Sequence, residues 1–533
     1  MTNVVRGALV ASLCLGIGSG CSREVAEVVE VPVNLGPSQV LEDHGDWAPE
    51  PLAACSLLPS DGAAAECGTP ESFDVSACEL GSLTGLDANG HFTVHVLEKH
   101  LSELPNNHLT GALNFVSGGQ VLSGGVPLRE ARVEGSTFFI THYGTLPDGR
   151  TFRSSFMGCK APSPSRVTGC YVSCVAGKPL YEATFEAEKV QRRAGEEEAS
   201  GLTLVGEGVV PQGIVADVFV AKGHAYVVSL EHAVAGPGGL YVFDLSDRTA
   251  PRLVSTITYP GDSYWNGVWA KGDALYVASA ARGLLVFDIS EPANPKLLRS
   301  LPDGRSINAH TVHGDNNRLY VMSASPTPET LIFDVKNERE PVLLGRYADP
   351  SVNPLVASFP HDATSWGPRL FLNHWAAGLL VLDVSDPTNV VKKGEYVYPR
   401  ATSHTNRWHY VNNRLIVFEG GEDWGAHVRA LDMTDLENPV LIGEYRLSPG
   451  VSIHNMELKG NLLYLAHYQH GVRVVDVSRP SQMREVAHFN TWRGTDRARG
   501  TLFHDGAIGM RVPDDGHVYV IDTSRGLLIF EEL

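Results

Sequence analysis

From Leu202 to the end of the chain, apolar and polar residues alternate in short runs bounded by Gly, Asn, Asp and Pro. Alternation with period two predicts half-buried strands, and the bounding residues predict tight turns between them. One run recurs as an apolar triplet ending in Asp: "YVFDLSD", "LVFDISEP", "LIFDVKN", "LVLDVSDP", "RALDMTD" and "RVVDVSRP". Its aspartates are Asp244, Asp288, Asp334, Asp383, Asp432 and Asp476, at spacings of 44, 46, 49, 49 and 44. A period of that length, filled by four short strands, is the pattern of a β-propeller blade. Seven blades are expected. The last, "HVYVIDTSRGLLIFEEL", stops after its third strand, and "LTLVGE" (202–207) matches the outer strands "VLLGRY" and "VLIGEY". The start of the repeat region is therefore expected to complete the seventh blade and close the ring, leaving no long unpaired edge. Each repeated Asp sits where a strand meets a turn, and its expected role is to accept hydrogen bonds from turn amides.

Upstream the pattern changes. Residues 55–187 carry alternating runs such as "HFTVHVL", "STFFITHYG" and "YEATFEAE" without a repeat, which predicts a small antiparallel β-domain. A polar stretch at 188–201, with "QRRAGEEEASG" at its end, reads as a linker, and residues 21–54 read as a tether. The fold class expected is all-β: a seven-bladed propeller at 202–533 with closure between its N- and C-terminal strands, preceded by the smaller domain. The 54 glycines and 32 prolines agree with many turns and little helix.

Residues 1–20 form a signal peptide in this reading, with Arg6 ahead of the apolar "GALVASLCLGI". That run is too short to span a bilayer. Beyond Cys14 and Cys21 there are six cysteines: Cys55, Cys67, Cys78, Cys159, Cys170 and Cys174. An even set in an exported chain implies disulfides, and sequence alone leaves their pairing open. The net charge of −19 argues against a nucleic-acid partner. No P-loop, G-x-S-x-G or H-E-x-x-H motif occurs, so no reaction class follows.

The repeated triplets resemble the LVIVD-repeat family, bacterial β-propellers named for such a strand, over about 330 residues. The resemblance implies the fold and leaves the activity open. "GSGC", ending at Cys21, resembles the lipobox of bacterial lipoproteins, with Gly18 standing where that pattern has Leu, Val or Ile. It implies a lipid on Cys21. By the sorting rule of enteric bacteria, Ser22 implies the outer membrane. The expected location is the cell envelope, as an outer-membrane lipoprotein or at the extracellular surface, with membrane contact through the lipid anchor only.

Candidate chemistry lies in the inner hairpins of the blades. Their turn centres fall at Lys222-Gly223, Gly272-Asp273, Asn316-Asn317, Gly367-Pro368, Asn412-Asn413 and Gly460-Asn461. Counting six residues back from each turn gives Ala216, Asn266, His310, His361, Asn406 and His454, and thirteen residues on from these come Ser229, Ser279, Ser323, His374, Glu419 and His467. This register places His361 opposite His374 and His454 opposite His467. Two such imidazole pairs could converge on one ion. The candidate metal ligands are His361, His374, His454 and His467, with His310, Glu419 and His504 at the same channel mouth. His470 is expected to be exposed. One transition-metal ion (zinc, copper or iron) is the cofactor this set would take. Three functions follow: a surface-tethered module binding another surface protein, a glycan or a small ligand; a metal-dependent enzyme; or a structural envelope component.

Overall fold

The computed structural model describes residues 39–48, 50–58, 66–99, 108–232, 235–352, 358–493, 496 and 501–533. The expected signal peptide, Cys21 and much of the tether lie outside the described residues. Among the described residues, one five-stranded and six four-stranded antiparallel sheets form the seven blades. Blade one runs Ile214–Ala221, His224–Leu230, Leu240–Asp244 and Arg252–Ile257, and later blades repeat this order outward from the axis. No helix of the described residues is long and apolar enough to cross a membrane.

The apolar pattern sets the packing. Second and third strands are buried on both faces because each sheet is covered by its neighbours. One core joins Tyr276 and Val286 of blade two to Leu319 and Phe333 of blade three, all nearly inaccessible. The recurring aspartates cap the turns as expected. The amides of Ser246, Ser290, Lys336, Ser385, Thr434 and Ser478 each donate to the Asp two residues earlier, at 2.8–3.0 Å.

Closure is the one expected from the sequence. Leu204–Gly208 pairs with Gly526–Glu531 as the fourth strand of blade seven, with Leu204 opposite Phe530 and Gly208 opposite Leu527. Ala199–Ser200, from the stretch read as a linker, adds a fifth strand to blade six beside His488 and Phe489.

Ahead of the propeller stands a nine-stranded antiparallel sheet with Gly90–Glu98 and Lys178–Lys189 at its centre. Three disulfides, Cys55–Cys170, Cys67–Cys174 and Cys78–Cys159, tie its first segment to the strands that follow. Each closes a long loop and contributes about 2–4 kcal/mol by restricting the unfolded chain. They imply an oxidising compartment, outside the cytoplasm or in the envelope. The propeller has no cysteine and holds together without disulfides.

The first described segment touches this sheet through Trp47, whose ring lies 5.1 Å from that of His95, and binds blade five. Leu41 N donates to Leu441 O at 2.9 Å. Asp43 and Asp46 meet the fully buried Arg429 at 2.7 and 2.8 Å. Glu419 Oε2, 3.7 Å from the same guanidinium, completes the cluster.

Candidate functional site

The inner strand of most blades carries one extra residue near its start. In blade one Val215 faces Ser229 and Asp217 faces Val228, so Ala216 has no partner. The same shift leaves Asn266, His310, His404 and Ile508 unpaired in blades two, three, five and seven. In blade four His361 N donates to Asn373 O while Asn373 N donates to Asp362 O, so two residues oppose one. Blade six repeats this with His454, Asn455 and Ala466. A bulge re-aims its side chain and ends regular pairing. Here it gathers one side chain per blade around the axis.

Four consecutive blades contribute histidine to this ring. The imidazole centroids of His310 and His361 are 4.3 Å apart, those of His361 and His404 3.9 Å, and those of His404 and His454 4.3 Å. His310 Nε2 and His361 Nε2 approach to 2.7 Å, a hydrogen bond in which one ring is the donor. His454 Nδ1 donates to Ile508 O at 2.6 Å. Burial and the neighbouring His361 push His404 well below the usual histidine range, burial takes His310 to about 3, and burial also lowers His454. These three rings are neutral near pH 7, with lone pairs to offer.

Glu422 lies over the ring. Its carboxylate is 3.5 Å from His404 Nε2, 3.7 Å from His454 Nε2 and 3.6 Å from His504 Nε2. The Tyr468 hydroxyl donates to it. One ligand atom each from His361, His404 and Glu422 fall within 4.8 Å of one another. Both nitrogens of His404 and Nδ1 of His361 are buried with no hydrogen-bond partner.

Two matching turns wall the mouth. "HWAAG" of blade four and "HYQHG" of blade six put Trp375 and Tyr468 at φ of 43° and 35°. Bulky side chains rarely occupy this left-handed region, and such strain clusters at functional sites. Trp375 lies 5.6 Å from His361 and stacks on Phe359 at 5.4 Å, while Tyr468 lies 5.2 Å from His454. On the far side of the histidines is a chamber of about 50 Å³, whose walls include Ala216, Asp217, Asn266, Arg407 and Arg511. Arg511 pairs with Asp217 at 3.1 Å, and Arg407 with Glu457 at 3.0 Å. Burial nonetheless raises the Asp217 carboxyl to about 6.

The structure brings together His310, His361, His454 and His504 of the residues singled out from sequence. It separates the others. The facing pairs do not form, because the bulge adds a residue to the inner strand and sets Asn373, not His374, opposite His361. His374 Nδ1 meets the Ser358 hydroxyl at 3.1 Å, and His467 packs against His470 with centroids 5.3 Å apart. His470 is buried, at 6% exposure, where an exposed side chain was expected. Glu419 does face Asn406, but its carboxylate points to Tyr398 and Arg429, away from the channel.

His404 and Glu422 were missed. Blade five pairs Val411 with Arg414, seven residues beyond its bulge, whereas blade three pairs Asp315 with Arg318 five residues beyond. A count from the turn therefore lands on Asn406. Aligning "SFPHDA", "ATSHTN" and "VSIHNM" on their histidines would have found His404.

The LVIVD repeat family matches residues 212–258, 263–302, 370–397 and 452–491. No curated protein matches the chain. Solved structures similar to it include the WD40 β-propeller domain of Doa1, at 11% identity and a TM-score of 0.47, covering 63% of this chain and 98% of that one. Another is the computationally designed Ika8 protein, at 12% identity and a TM-score of 0.39, covering 62% of this chain and 99% of that one.

Proposed function

We propose that this chain, a β-propeller of LVIVD repeats, is an exported binding protein that holds one transition-metal ion at the mouth of its central channel. The observation that carries this reading is the convergence of His361, His404 and Glu422 within 4.8 Å, together with buried nitrogens of His361 and His404 that make no hydrogen bond, although carboxylates of Asp362 and Glu422 stand 3.5 Å from them. Buried polar atoms nearly always find a partner, and leaving one bare costs about 1–3 kcal/mol. An ion would satisfy one nitrogen of each ring. Two imidazoles and a carboxylate suit zinc, copper or iron, whereas calcium and magnesium prefer oxygen ligands. His454, beside the same carboxylate, is the fourth donor within reach.

The surroundings serve this role. The His310 hydrogen bond fixes the orientation of the His361 ring, and Tyr468 and His504 hold Glu422. Partners of this kind orient metal ligands, and losing one typically lowers affinity about 10–100-fold. The test is metal analysis of the purified full-length chain after metal-supplemented growth. About one equivalent of zinc, copper or iron is expected, and an affinity loss of about 100-fold or more in His361→Ala, His404→Ala. A metal-free wild-type chain would overturn the reading and leave the propeller an interaction or structural module.

A lipid on Cys21 would tether this module to the envelope. The apolar segment before Cys21, the small residues of "GSGC" and the disulfides support it. Labelled palmitate should enter the wild-type chain and be absent from Cys21→Ser. Equal labelling of both would remove the anchor.

A further inference from the structure

The loop that carries Glu422 is where the disulfide-linked sheet meets the propeller. Strand Arg414–Gly421 of blade five ends just before Glu422, so Asp423 and Trp424 pair with no neighbouring strand. Trp424, 1% exposed, stacks instead on His95 of strand Gly90–Glu98, with centroids 5.2 Å apart and planes 17° apart. Asp423 Oδ2 lies 3.6 Å from Nε2 of His108, at the start of the adjacent strand His108–Phe115. Trp47 packs against the same two imidazoles at 5.1 and 4.8 Å.

Two routes lead from these contacts back to Glu422. One is the chain itself, since Trp424 is two residues away. The other is a run of rings: Trp424 stacks on Phe503 at 6.3 Å, Phe503 meets His504 edge-on at 4.8 Å, and His504 Nε2 stands 3.6 Å from the Glu422 carboxylate. The sheet also presses on the segment that backs this loop. An added Cβ on Gly450 would meet Thr93 Oγ1 at 2.9 Å and Glu188 Oε2 at 3.0 Å. That segment accepts the Gly425 amide at Pro449 O, 2.8 Å, and the Asp423 amide at Ser452 Oγ, 3.2 Å. Undocking the sheet would bare the Trp424 indole and loosen the loop from both sides.

Resting on the metal reading above, we infer that the disulfide-linked sheet is a positioning domain for Glu422, so that docking of the sheet and binding of the ion favour one another. His95 is the positioning residue and acts through Trp424. A carboxylate already held in place gives up less freedom when the ion arrives, which raises affinity. The coupling is reciprocal: whatever the docked sheet adds to metal binding, the bound metal adds to docking. His95 suits a test because neither ring nitrogen makes a hydrogen bond, and the Glu186 carboxylate, 3.7 Å from its Nδ1, also pairs with Arg166. A phenyl ring at this position keeps the stack on Trp424.

The test titrates the full-length chain with cobalt(II), which stands in for zinc and whose visible absorption reports its ligands. His95→Ala should weaken cobalt binding by about tenfold or more and alter the spectrum, as expected when a partner that orients a ligand is lost. His95→Phe should restore both. Wild-type affinity and spectrum in His95→Ala would overturn the inference, as would a loss that His95→Phe leaves unrepaired. A second measurement needs no variant, so it stands even if His95→Ala fails to fold. Zinc added to the unaltered chain should slow amide hydrogen exchange in Gly90–Glu98 and His108–Phe115, strands that contribute no ligand. Unchanged exchange there, in a chain that has taken up zinc, overturns the inference and leaves the metal site standing. An unaltered chain that takes up neither cobalt nor zinc, copper or iron overturns both.

Discussion

Deletion of Leu202–Gly208 is expected to unfold the propeller as a unit. This segment lies more than 300 residues from its partner strand, Gly526–Glu531, and joins the ends of the ring. Without it the third strand of blade seven becomes an open edge. Leu202, 6% exposed, leaves the core shared by blades six and seven, and the Arg525–Glu207 ion pair is lost. Gly206 also sits where an added Cβ would meet Arg248 O at 2.0 Å, a close fit of backbone on backbone. Two apolar side chains at about 1.5–3 kcal/mol each and a few ladder hydrogen bonds at about 1 kcal/mol each amount to roughly 5–9 kcal/mol. A fall of about 10 °C or more in the propeller's thermal midpoint should follow, read by calorimetry. An unchanged midpoint would show that other contacts close the ring.

Arg429→Met should cost about 3–5 kcal/mol, because it leaves buried carboxylates without their counter-charge. Burial alone would raise Asp46, but Arg429 and His427 outweigh it and hold the carboxyl well below its usual range. Asp43 is lowered against the same opposition, chiefly by Arg429. A carboxyl depressed in the folded state contributes stability that is fully present above its unfolded pKa of about 3.9. That stability is lost as pH falls through the lower folded value. The wild-type chain should therefore lose stability steeply below about pH 4, and Arg429→Met should lose less there because less remains to be lost. Denaturant midpoints measured between neutral and acid pH check both parts. A variant as stable as wild type at pH 7 would mean that the segment around Asp43 and Asp46 is not anchored through this guanidinium.

The fold was legible because its signals are local and repeated. The Asp-terminated triplets mark the third strands of the first six blades, and the match of "LTLVGE" to other outer strands located the closing strand. The disulfide region was legible as β-structure, but its pairing was not, since that depends on which strands neighbour one another in the sheet. The site was half legible. His310, His361 and His454 share one offset from the turn because their hairpins have the same length. His404 was hidden by a hairpin two residues longer. The partners His374 and His467 were misassigned because a tight turn fixes register only until a bulge intervenes. Such a bulge leaves no residue signature as clear as a Gly-Asn turn. Glu422 belongs to no repeat, and only the ring's assembly shows what it faces.

Anomalous X-ray diffraction from crystals of the full-length chain grown with zinc, recorded on both sides of the zinc edge, tests the central claim most directly. The account predicts one strong peak enclosed by His361, His404 and Glu422, with nitrogen and oxygen ligands at about 2.0–2.2 Å. An axial region without a peak, in crystals that bind zinc elsewhere or nowhere, would contradict it.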